Sequence, residues 1–182
     1  MWTNEDTAME DLRLPKRVEG DPEARDLLNE LIHRSRPLWE HADLRVPETD
    51  GFGRLEEVLE KAHAAGHVIR GLEGAERVLA AEAEGLKKVD EKTGVGRGGR
   101  VSRLLVLTQD GAERFYRRVE STLKRHAPRV LALRLEMDEY SLGKKIFGAD
   151  QRVRLLLVDH KDAVSEVLLA LADHWKRGSE KD

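Results

Sequence analysis

Cysteine is absent from the 182 residues of this chain. Its absence excludes disulfides, thiolate nucleophiles and every zinc site built on Cys. Aromatic residues make up only 4%, too few for a platform on which successive bases of a single strand stack. No apolar run approaches the roughly 18 residues needed to cross a bilayer, so no transmembrane helix is expected. The opening segment MWTNEDTAMEDLRL is acidic and lacks the apolar stretch of a signal peptide. A cytoplasmic location is expected. Also missing are a phosphate-cradling G-x-x-x-x-G-K-[ST], the zinc motif H-E-x-x-H and a nucleophile elbow. No cofactor and no metal is expected, and a role other than catalysis leads.

Charge is plentiful instead. Charged residues are 37% of the chain, yet the net charge is only −3. The balance hides a split: residues 1–96 carry 14 Lys/Arg against 22 Asp/Glu, and residues 97–182 carry 18 against 13. The basic excess is densest from Arg97 to Arg134, with 10 Lys/Arg and 3 Asp/Glu. A nearly neutral protein can therefore present one basic face that attracts phosphate backbones.

The hydrophobic pattern gives the fold class. Residues 1–22 are polar and broken by Pro15, Gly20 and Pro22. A helix is expected from Pro22, ending at Pro37, and residues 37–51 read as a linker. Residues 1–52 are thus expected to form an N-terminal arm. From Gly53 a helix carries Leu55, Val58, Leu59 and Ala62 on one face. His67–Arg70 is a strand candidate, and Leu72–Gly85 a helix. Residues 87–101 read as a basic, glycine-rich loop. SRLLVLT (102–108), VLALRL (130–135) and VRLLLV (153–158) are apolar runs typical of strands covered on both faces. Helices follow at 112–127, 138–148 and 162–175, before a fraying tail at 177–182. Strands alternating with helices predict a three-layer α/β/α sandwich with a short mixed sheet over residues 53–176.

AHAAGHVIRGLEGAERVLAA, RVSRLLVLTQDGAE and DEYSLGKKIFGADQRVRLLLVD together resemble the superfamily of the archaeal kink-turn-binding ribosomal protein. Eukaryotic large-subunit and small nucleolar relatives belong to the same superfamily. The resemblance covers residues 54–172. It implies an α/β/α sandwich that binds sharply bent RNA, through the start of the second helix and the loop before the last strand. At the first place the family pattern is Gly-x-Asn-Glu-x-x-Lys. Gly71 matches its Gly, Glu73 stands at Asn, Gly74 at Glu, and Arg77 at Lys. At the second place, GADQRV is more charged than the family's loop.

The candidate RNA-binding residues follow from both lines. Gly71, Glu73 and Arg77 mark the helix start. Lys144, Lys145, Gln151 and Arg152 surround the second loop. Arg97, Arg100 and Arg103 flank the glycine-rich segment. One condition governs them: the turn at Gly71 and the segment 149–152 must lie side by side and form one positive, phosphate-accessible patch. The expected partner is structured RNA, with ribosomal RNA as one case. A protein partner, met by the acidic arm, is one alternative, and the Arg114–Arg125 helix face is a second candidate surface. A small-molecule or metal-dependent enzyme is another, should Asp110 and Asp159 share one sheet edge.

Overall fold

The computed structural model describes residues 9, 11–50, 52–94, 99–148 and 150–181. Its centre is a six-stranded mixed sheet. The strands are β1 (Ser35–Pro37), β2 (Arg45–Thr49), β3 (Val68–Arg70), β4 (Arg103–Leu107), β5 (Val130–Leu135) and β6 (Leu155–Val158), and they lie in the order β1-β2-β5-β4-β6-β3. β2, β5 and β4 run parallel, while β1, β6 and β3 each run antiparallel to a neighbour.

Apolar runs become central strands because both faces are covered. Along β4, Leu104 and Val106 face one core, and Leu105 and Leu107 face the other. β5 and β6 alternate in the same way. The first core is closed by α2 (Leu27–His33), α3 (Gly53–Ala64), α6 (Glu139–Phe147) and α7 (Lys161–Ser179). The second is closed by α4 (Leu72–Thr93) and α5 (Glu113–Arg125). The result is a three-layer α/β/α sandwich preceded by a helical segment, which includes the one-turn helix α1 (Lys16–Glu19) and a 3-10 turn at Pro22–Ala24. Each fully buried leucine contributes roughly 1.5–3 kcal/mol.

Three local expectations are corrected. Residues 37–51 are not a linker: β1 and β2 form a hairpin, and β2 extends the sheet beside β5. The signal is weak because the buried residues of RVPET are Val46, Pro47 and Thr49, which make no alternating apolar pattern. Tertiary bonds fix it. Arg134 of β5 donates to Glu48 at 2.8 Å and to the Leu38 carbonyl at 2.8 Å, and the Trp175 indole donates to Thr49 at 3.1 Å. The basic stretch after Gly85 is also not a loop at its start. α4 runs on to Thr93 and stops at Gly94, which has φ 65°. Finally, α7 continues to Ser179, three residues into the segment expected to fray. Arg97, Gly96, Gly98 and Ala149, and most of residues 1–10, lie outside the described residues.

The tip of the β1–β2 hairpin is held to α5 by one carboxylate. Glu120, 7% exposed, accepts from the Trp39 indole at 2.9 Å and from the Leu44 amide at 2.8 Å. Removing it leaves two donors without a partner. Glu120→Ala is expected to lower the unfolding free energy by about 2–4 kcal/mol, measured by urea denaturation.

Candidate nucleic-acid interface

The sheet directions decide which loops meet. β3 and β4 both run antiparallel to β6. The end of β3, the end of β4 and the start of β6 therefore share one end of the sheet. There Gly71 donates its amide to the Leu155 carbonyl at 2.9 Å. Arg70 reaches across the gap, bonding the Gln151 side chain and, at 3.4 Å, the Arg152 carbonyl. Gly71 and residues 150–152, the described part of the loop, are neighbours.

Backbone conformation builds this corner. Gly71 has φ 83° and ψ 156°, a region that side-chain-bearing residues avoid. It offers α4 no side-chain cap, and the first intrahelical bond is from Ala75 to Gly71. The amides of Leu72, Glu73 and Gly74 consequently have no intrahelical acceptor. Gly148 at φ 97° and Asp150 at φ 61° turn the second loop. α6 packs directly beneath it, because Gly143 has no side chain. A Cβ there would stand 2.0 Å from the Gln151 carbonyl oxygen.

The side chains on this corner are exposed and rich in donors. Tyr140, 52% exposed, carries the Arg152 guanidinium over its ring at 4.5 Å. The Arg70 guanidinium lies 5.8 Å from the Phe147 ring, whose edge meets His63 at 4.6 Å. Tyr140, Lys144 and Phe147 are spaced along one face of α6, so exposed Lys144 joins the corner. Arg77 is exposed on the second turn of α4 and makes no ion pair with Glu73, although i,i+4 spacing would allow one. Exposed acids at this end of the sheet include Glu73, Asp110, Asp138 and Asp150.

Not every candidate belongs here. Lys145 turns away to Glu56 of α3 at 3.2 Å and to the Phe52 ring. Arg103 sits at the opposite end of the sheet, one strand length away, about 13 Å. It forms a bidentate pair with Glu82, at 3.1 and 3.0 Å, and Arg129 joins the same carboxylate at 2.8 Å. Arg100 holds the N-terminal segment, donating to the Leu14 carbonyl at 2.9 Å and to Glu19 at 2.7 Å. On α5, Arg117 pairs with Glu113, Arg118 with Glu76 and Lys124 with Asp43. The expectation that Asp110 and Asp159 share a sheet edge is overturned. β6 is antiparallel to β4, so the acids following each lie at opposite ends. Asp110 instead accepts from the Glu139 amide at 3.1 Å. Among the described residues, no three His, Asp or Glu converge on a metal site.

Arg70 is the residue that sequence reasoning missed. It ends a predicted strand and carries no motif, but its position immediately before Gly71 was the available signal.

Two outcomes test this geometry. Gly143→Ala is expected to destabilise the fold by about 1–3 kcal/mol and to displace the 150–152 loop, as read by denaturation and by amide shifts of Gln151 and Arg152. The second concerns His126, near the far end of the sheet. Burial first, then Arg125 and Arg129, hold its pKa below the usual 6.5. The folded state therefore resists a proton that the unfolded chain accepts. This contribution to stability is complete above the unfolded pKa and is lost as pH falls through the folded one. Thermal melts should show Tm falling from pH 7 to pH 5, and His126→Gln should flatten that slope.

No protein-family model and no curated protein matches the chain. Among solved structures, it is similar to a protein with unknown function from Bacillus halodurans C. The identity is 20%, covering 66% of this chain and 97% of that one, with a TM-score of 0.43. Among the described residues, no helix is long and apolar enough to cross a membrane.

Proposed function

We propose that the chain binds structured RNA through the corner formed by Arg70, the start of α4, and Gln151 and Arg152. The observation that carries this reading is the juxtaposition itself. Open helix amides lie beside two guanidiniums, an amide side chain and an exposed aromatic ring.

Each part matches a feature of RNA. Helix N-terminal amides favour phosphate oxygens through hydrogen bonding and the helix dipole. Arg70 and Arg152 supply planar, permanently charged forks for phosphate or a base edge. Gln151 supplies both a donor and an acceptor. The Tyr140–Arg152 stack offers a flat surface to an unstacked base, as single-stranded loops and bulges present. A kinked RNA is the first target to try, because residues 54–172 resemble the kink-turn-binding superfamily. Glu73 stands where that family has Asn, so phosphate and shape contacts carry the affinity in place of the family's base reading.

The expected outcome is micromolar or tighter binding to a structured RNA, with log K falling linearly against log salt. Arg70→Glu combined with Arg152→Glu should weaken binding at least about tenfold and reduce the salt slope by about two. Fluorescence anisotropy at several salt concentrations measures both, and circular dichroism checks that the variant is folded. Absence of binding to kink-turn, duplex and ribosomal RNA would sink the proposal.

A further inference from the structure

We infer that a second, separate groove at the far end of the sheet takes backbone phosphates of the same RNA, with Lys87, Arg125, Arg129 and Lys161 as its contacts. The inference rests on the RNA-binding reading and extends it to a distinct surface.

Two hollows, of about 570 and 460 Å³, lie end to end beside the C-terminal half of α4. They share Leu86, Asp90 and Arg129 as a common wall, so they form one continuous depression. Lys87 and Arg125 border the first, and Arg100, Arg103 and Lys161 border the second. The bordering acids are Asp90 and Glu91. Cations therefore outnumber acids along the rim.

The cations differ in what they are free to do. Arg103 and Arg129 share Glu82, so one carboxylate faces two guanidiniums and a positive charge remains. Arg129 uses one nitrogen in that contact, leaving its other donors for a ligand. Lys87, Arg125 and Lys161 are exposed and have no ion-pair partner among the described residues. The half-buried His126 between Arg125 and Arg129 resists protonation, partly because these two are positive. Glu19 and Glu82 neutralise part of the wall through Arg100, Arg103 and Arg129, and its net charge stays positive. An open, elongated, cationic depression fits a run of phosphates better than a compact metabolite.

The helix sets the distance. Gly71 and Lys87 lie sixteen residues apart on or at the start of α4, which is roughly 24 Å at the rise of an α-helix. Both sites therefore sit at opposite ends of one rigid rod. A strand must be at least about seven nucleotides long to reach from one to the other, at ~3.4 Å per step. An RNA shorter than this reaches one site at a time and sits at the Arg70–Arg152 corner, where an amide side chain and an exposed ring add base contacts to the phosphate contacts.

The test uses the full chain and two RNA hairpins, one of about five base pairs and one of about sixteen. Lys87→Glu combined with Arg125→Glu changes two exposed, unpaired side chains, and a melting curve checks the fold. The expected result is at least tenfold weaker binding of the long hairpin, a salt slope smaller by about two, and near-unchanged binding of the short one. Unchanged affinity for the long hairpin, with the Arg70/Arg152 variant still weakened, overturns this inference alone. No binding of either hairpin by the unaltered protein overturns both this and the function above. Equal loss on both hairpins also overturns it, because a contact beyond the reach of the short RNA cannot matter to it. Wild-type-like binding by both double variants removes both site assignments.

Discussion

Strand β6 runs against β4, and the rest of the molecule is arranged by that reversal. The parallel strands β2, β5 and β4 end at one side of the sheet. Because β6 starts there, the loop that feeds it meets the ends of β3 and β4. Two segments eighty residues apart, Arg70–Gly71 and Gln151–Arg152, become neighbours for this reason. The same reversal sends Asp159 and His160 to the other side, where His160 stacks on His67 at 4.1 Å. Had β6 been parallel, Asp110 and Asp159 would stand together and Gly71 would face no loop at all.

The corner is then held by small clearances and not by strong bonds. Gly143 lets α6 come under the loop, Gly71 turns the chain at a positive φ, and Asp150 accepts a left-handed conformation. Such positions cost free energy unless the surroundings enforce them. Here the enforcement comes from buried neighbours: Leu142 and Ile146 anchor α6 in the first core, and Leu155 and Leu157 anchor β6 in the second. A rigid base under an exposed, donor-rich surface is what preorganised recognition needs, because little ordering remains to be done on binding.

Much of this was legible in the sequence, for a definable reason. β4, β5 and β6 are covered on both faces, so each is an unbroken apolar run that needs no partner to be recognised. β2 was not legible, because its stability comes from Arg134, Trp175 and β5, all distant in sequence. The end of α4 was hidden by its exposure: Lys87, Lys88 and Glu91 have no apolar face to betray a helix. Of the candidate site, Gly71, Gln151 and Arg152 were grouped by the family resemblance, and in the fold they are neighbours. Arg100 and Arg103 were grouped with them by charge alone, and charge density along a chain carries no information about which end of a sheet it reaches.

The charge split of the sequence has its main explanation inside the fold. Acids of the first half meet bases of the second across the tertiary contacts: Glu19 with Arg100, Asp43 with Lys124, Glu48 with Arg134, Glu76 with Arg118, and Glu82 with Arg103 and Arg129. An acidic half and a basic half are thus largely a device for joining the N-terminal segment and α4 to the rest. The exposed pairs among these add little stability one by one, but every pair removes a charge from the field that a distant anion feels. On α5 this pairing neutralises Arg118 and Lys124, and Arg117 meets Glu113 on its own helix, while Arg114 and Arg125 stay exposed without an ion-pair partner among the described residues. What an approaching polyanion meets is the remainder, and on the rod of α4 that remainder lies at its two ends. Arg70, Arg77, Lys144 and Arg152 stand near the start, and Lys87, Arg125 and Lys161 near the finish. Recognition by such a surface depends on which cations the fold leaves unpaired, and the total number of basic residues is a poor guide to it.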